Sequence, residues 1–377
     1  MTTRYDCIVA GLGAVGSAAL YHLAARGARV AGLDAHDPPH TLGSSHGESR
    51  MIREAYFEDP CYVPLVRRAY DLWHALQTEA GTTLIEETGG IYAGFDGDEL
   101  VPGMIRAASE HAISVEKLSL DECTQRFPWL RPDPQMLCAV EPRAGLLHPE
   151  RCISAHLAGA RARGAAVRTD EALVAWRAHG DHIVVQTTAG TLLTDTLIMA
   201  TGAAMPATVA EAGATAAVAR QPLFWFEPAD PGTARAIPVW AVEFEKGRLL
   251  YGFPDRGRGV KVAIHDPGMP TTPEGIDRIV HEREVARVRA LCDRYLPGML
   301  GALRETATCM YTNTPDGHFL IDAHPRHDNV LLVSACSGHG FKFASATGEA
   351  AAQWMLDGKP ALDLSPFSLR RFRSDAR

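Results

Sequence analysis

No C-x-x-C spacing occurs among the eight cysteines of this 377-residue chain, which stand at 7, 61, 123, 138, 152, 292, 309 and 336. Neither a zinc site nor a dithiol redox pair is therefore expected, and scattered thiols of this kind read as reduced and cytoplasmic. Excess positive charge is missing as well. The net charge of −8 argues against a nucleic-acid or anionic-membrane partner, which would select clustered Lys and Arg. Any anionic ligand must be held by local cations. A membrane-spanning run is also lacking: residues 7–25 carry no formal charge, but Asp6 stands at their start and Gly11, Gly13 and Gly16 make a poor apolar helix. Secretion is not expected either. The histidines lack metal-ligand spacing, so no metal site is expected, and neither a serine triad nor its nucleophile elbow is invoked.

What the chain does contain is 46% hydrophobic and 22% charged residues, enough for two domains of roughly 100 to 200 residues each. Tyr5–Ala10 reads as a strand, Ala14–Arg26 as a helix closed by Gly27, and Arg29–Asp34 as a second strand, together a βαβ unit with parallel buried strands. Tyr62–Leu76 is an amphipathic helix. His182–Ala200 is a hairpin around Gly190, and Val330–Ala335 enters a Gly-rich loop and a helix, so one sheet is visited three times. Between these visits Leu223–Glu227, Val239–Glu245 and Arg248–Phe253 alternate apolar and polar residues, with Lys246-Gly247 as a hairpin turn. They predict an antiparallel sheet, covered by a helix over Ile276–Tyr295 that turns Ile279, Val280, Val288 and Leu291 inward.

Gly11-Leu12-Gly13-Ala14-Val15-Gly16 follows the first strand and opens the first helix. Glycines so placed form the tight turn, admit a pyrophosphate and allow close helix packing, with the helix N-terminus facing the phosphates. Asp34, 23 positions after Gly11 at the end of the second strand, is placed to accept from an adenosine ribose. FAD is favoured over NAD by the second apolar strand ending in Ala200-Thr201-Gly202 and by the late C-terminal return. The expected fold is α/β with two domains. Residues 1–85, 150–215 and 310–377 form a Rossmann-like FAD-binding domain, interleaved with an antiparallel-sheet substrate domain over 86–149 and 216–309.

Four further motifs occur in order: His46-Gly47-Glu48-Ser49-Arg50-Met51-Ile52-Arg53, Tyr251-Gly252-Phe253-Pro254, Cys309-Met310-Tyr311-Thr312 and Ser337-Gly338-His339-Gly340-Phe341-Lys342. On these the chain resembles the monomeric sarcosine oxidase and N-methyltryptophan oxidase family, within the D-amino-acid-oxidase-like flavoproteins, over nearly its whole length. The resemblance implies an oxidase that removes a hydride from the carbon beside a secondary amine. O2 then yields hydrogen peroxide, and the imine hydrolyses, giving formaldehyde from an N-methyl amino acid. The related alternatives are a flavin oxidase of a cyclic imino acid such as pipecolate or proline, and a flavin dehydrogenase that passes electrons to a partner. A monomer is implied.

The resemblance also implies residue roles. Cys309 would carry the flavin through a thioether, which needs a thiolate. Arg53 and Lys342 would clamp the substrate carboxylate, and Arg50 would lie against the flavin ring, where a cation favours the reduced form. His46, with Ser45, would belong to the same flavin-contacting loop. Lys261 and His265 sit four apart on one strand and so share a face. Lys261 would activate O2, while His265, Tyr251 and Tyr311 would position the substrate. Val174, Thr201, Gly202, Met310 and the loop Gly338, His339, Gly340, Phe341 complete the expected cofactor contacts.

Overall fold

The computed structural model describes residues 4–372. The outermost ends of the expected division, 1–3 and 373–377, lie outside them. The expected βαβ unit forms from the strand Arg4–Ala10, the helix Ala14–Ala25 and the strand Val30–Leu33, the two strands pairing in parallel. Every residue of Val30–Leu33 is buried, as continuous apolar composition demands of a central parallel strand. On its other side Arg4–Ala10 pairs in parallel with Gly190–Met199, which continues to His327–Ser334 through Leu197↔Val330. Three distant chain segments thereby close one eight-stranded sheet.

The second sheet has nine strands and holds the antiparallel hairpin Val239–Glu245 and Arg248–Phe253, with Gly247 turning at φ 71°. Alternation sorts its residues by face. Val260, Val262 and Ile264 pack with Phe224 and Phe226 against Val288, Cys292 and Tyr295 of the covering helix. Ala263 packs on the other face with Leu223, Trp225 and Cys309. That helix is shorter than expected: it spans Glu282–Tyr295. His281 caps it in a reciprocal box with Glu284, and Ile279, expected inward, is 70% exposed on the preceding segment. Periodicity overran the true start because a capping box with His in the Ser/Thr place is not the usual start signal.

A third, three-stranded sheet joins the two. Its strand Arg50–Ile52 pairs with Gly145–Leu147, which also pairs with Ile85–Glu86. This is how residues 50–53 come to lie over the face of the second sheet. No helix of the described residues is long and apolar enough to cross a membrane.

Candidate active site

A cavity of about 1190 Å³ runs between the sheets. At one end it is lined by Gly11, Gly13, Ala14, Val15 and Asp34, and at the other by Arg53, Tyr251, His265, Tyr311 and Lys342. Ser45, Arg50, Val174, Thr201, Gly202, Met310 and the stretch Gly338, His339, Gly340, Phe341 line it between. Four expected site residues stand behind this lining: Gly16, His46, Lys261 and Cys309. Gly16 is there for packing, since a Cβ would fall 1.7 Å from the Gly11 carbonyl oxygen.

The first end suits a dinucleotide. Among the described residues no side chain caps the helix Ala14–Ala25 at Gly13, which leaves its first N–H groups for phosphate oxygens. Asp34 accepts from the Leu12 amide at 2.7 Å and the His36 amide at 3.0 Å, and these contacts, with His40, hold its carboxyl below the usual range although burial pushes it up. Two buried hydroxyls on the lining, Ser44 and Ser334, have no hydrogen-bond partner among the described residues. A ligand with donors and acceptors along its length would satisfy them.

The loop 44–50 is set by distant side chains. Gly47 and Glu48 both donate their amides to Glu150 Oε1, at 2.6 and 3.1 Å, and the Trp225 indole donates to Glu48 at 2.8 Å. Lys261, 2% exposed, donates to the carbonyls of Gly47 and Ser49 at 2.6 and 2.7 Å. Burial, and then Arg50, push its ammonium well down, while Glu150 and Glu48 oppose them. Arg50 in turn donates to the carbonyls of Ser49 and Ser44 and, at 3.5 Å, to the sulfur of Cys309. His46 Nε2 is buried without a partner among the described residues, and burial lowers that imidazole to about 4. Gly43-Ser44-Ser45-His46-Gly47 does match the G-x-S-x-G spacing of a nucleophile elbow, contrary to expectation. With neither a strand before it nor a helix after it, it is not one.

At the far end two cations face one carboxylate. Arg53, 4% exposed, is stacked 4.3 Å from the rings of both Tyr56 and Phe57 and is held by Glu58 at 2.6 and 2.8 Å. Burial pushes the Glu58 carboxyl up, but Arg53, His339 and Lys342 outweigh it and hold it at about 2. Lys342 donates to the His339 carbonyl at 2.8 Å, and burial with Arg53 pulls its ammonium down to about 7. His339 accepts at Nδ1 from Tyr56 at 2.6 Å, because its Nε2 is committed as donor to the Gly317 carbonyl at 3.0 Å. His265 Nδ1 lies 3.4 Å from the Tyr311 hydroxyl, both packed against Gly338, where any Cβ would come within 2.9 Å of their rings. Burial lowers His265 toward the neutral imidazole.

Motif reading missed the supports. Glu150 and Trp225 sit 102 and 177 residues from Glu48, and Glu141, which accepts from the Glu54 and Ala55 amides behind Arg53, is 87 and 86 residues from them. Only Glu58 was within reach, five positions after Arg53, and its pairing reads as a surface ion pair until the fold buries it.

The family model described as FAD dependent oxidoreductase matches residues 6–354. The chain belongs to that family. Among curated members, monomeric sarcosine oxidase of Streptomyces avermitilis is 39% identical over 98% of each chain. N-methyl-L-tryptophan oxidase of Salmonella typhimurium is 33% identical, covering 98% of this chain and 99% of that one. The solved L-proline dehydrogenase of P. horikoshii superimposes with a TM-score of 0.86 over 99% of both chains at 22% identity, a likeness of fold alone. This FAD-dependent oxidoreductase has the mixed α/β, two-domain architecture expected of it.

Proposed function

We propose that the protein oxidises N-methyl amino acids, sarcosine or a larger relative, taking a hydride from the carbon beside the secondary amine and ending with an imine, formaldehyde after hydrolysis, and hydrogen peroxide. The observation that carries this reading is the pair of buried cations, Arg53 and Lys342, at the end of a cavity continuous with the dinucleotide cradle. Arg53, paired with Glu58, and Lys342 beside it make this end of the cavity a seat for the carboxylate of an amino acid.

Gly11, Gly13, Asp34, Ser44 and Arg50 would hold FAD, with Cys309 as its covalent anchor. When bound, FAD supplies the hydride acceptor and the site of O2 reduction. The chain's own residues do the rest. Arg53 and Lys342 fix the carboxylate, and Tyr251, Tyr311 and neutral His265 set the tilt of the amine, so that the C–H bond is aimed before reaction. Arg50, packed among carbonyls, presents positive charge toward the cavity. Lys261, held behind the lining by the carbonyls of Gly47 and Ser49, serves O2 activation through the loop that it grips.

The test is anaerobic mixing of the yellow protein with sarcosine, N-methyltryptophan, pipecolate and proline while flavin absorbance is followed. Bleaching by an N-methyl amino acid, with formaldehyde and peroxide formed in air, is the expected result. Bleaching only by the cyclic imino acids, or by none, overturns the reading.

A further inference from the structure

At the end that holds the two cations the cavity has a further, uncharged wall. On the sheet face turned away from the helix Glu282–Tyr295, Ala241 pairs with Tyr251, Tyr251 with Ala263, and Ala263 with Leu223. Directly paired side chains share a face, so these form one cross-strand row, and Tyr92 extends it by pairing with Ala241. The Ala263 end packs against Cys309. Ala241 therefore lies on the opposite side of Tyr251 from that cysteine, and between the rings of Tyr251 and Tyr92 the row carries only a methyl group. The cavity fills this gap. Its lining there is Met51, Tyr92, Leu100, Ala241, Leu249 and Phe253, all uncharged and all in or against one apolar cluster.

These walls are anchored independently of any ligand. Leu100 opens the helix Leu100–His111, and its amide and that of Glu99 donate to buried Glu243 at 2.7 and 3.0 Å. Met51 is held in the three-stranded sheet by pairing with Leu146, and its sulfur accepts from the Tyr92 hydroxyl at 3.8 Å. A preformed apolar chamber beside a carboxylate clamp gains affinity from an apolar group without a further ordering cost.

Resting on the oxidase reading above, we infer that this chamber takes the amino-acid side chain, that the preferred substrate carries a branched aliphatic or aromatic group where sarcosine has hydrogen, and that Ala241 sets the size limit. The test compares kcat/KM for sarcosine, N-methyl-L-leucine and N-methyl-L-phenylalanine in the flavin-loaded wild type and in Ala241→Leu and Ala241→Val. Burial of an isobutyl group predicts that N-methyl-L-leucine exceeds sarcosine by about tenfold or more, and that Ala241→Leu lowers this ratio by about tenfold with Ala241→Val between. A wild-type ratio at or below one, or a ratio unchanged in both variants, overturns the chamber while leaving the oxidase reading standing. Flavin reduction by none of the three overturns the oxidase reading and this assignment together.

Discussion

Arg53 and Lys342 bear the same formal charge and differ in how firmly they keep it. A guanidinium stays charged, whereas the Lys342 ammonium is drawn down to about 7 by burial and Arg53. Carboxylate binding needs the charged form, so affinity is highest below that value and falls as pH rises through it. Acetate, which has no titration of its own there, should bind more weakly at pH 8.5 than at pH 6, and in Lys342→Met the difference should vanish. Equal acetate affinity at both pH values in the wild type would remove the assignment. Arg53→Ala forfeits a charge-assisted contact worth roughly 1.5 to 3 kcal/mol, and should raise the substrate KM about ten- to a hundredfold. It also leaves Glu58 unpaired near Lys342. Cys309→Ser should release all flavin on denaturation, where the wild type retains it on the chain; retention in the variant would exclude the sulfur as anchor. These residues were singled out because they sit in the short motifs that carry the family resemblance. Tyr56 and Trp225 were not, because nothing in the sequence near them says that a fold will bring them against His339 and Glu48, 283 and 177 residues away.

At the scale of elements, the loop 44–50 and the strand Val260–His265 act as one unit. Glu150 Oε1 takes two loop amides while Lys261 takes two loop carbonyls, so the loop is gripped from both polar ends of its backbone. Glu150→Ala removes one grip and strands two buried amides, at a cost of about 1 to 3 kcal/mol each when they find no substitute. Slower reoxidation by O2 is expected, with substrate KM less affected because Arg53 is tied separately through Glu58, and the backbone after it through Glu141. Stopped-flow reoxidation rates set beside KM decide this. The strands themselves were readable from alternation, and so was the shared face of Lys261 and His265. The start of the helix Glu282–Tyr295 was misread, since apolar Ile279 and Val280 fit the helical period while the hydrogen bonds of His281 and Glu284 begin the helix later.

Across the whole molecule, buried imidazoles make stability depend on pH. His22 is held down to about 4 and His339 to about 3, chiefly by burial, and His156 well below its ordinary value for the same reason. Unfolding restores the ordinary value near 6.5, so below it the unfolded chain binds more protons than the folded one. The stability these neutral groups contribute is complete above about 6.5 and is lost progressively as pH falls toward 4. Melting temperature should fall steeply between pH 6.5 and 4.5, and less steeply in His22→Gln; a flat profile over that range would contradict the burial argument. The sequence by itself determined the cofactor cradle, the buried parallel strands of one sheet, the alternating strands of the other and the order of the four motifs, because each rests on local spacing, an apolar run or a period of two or 3.6 residues. Tertiary structure decided which carboxylates hold the loop and the clamp, and that an alanine stands between two tyrosines beside the site. Those depend on cross-strand register and on partners about a hundred residues or more away, which no local pattern encodes.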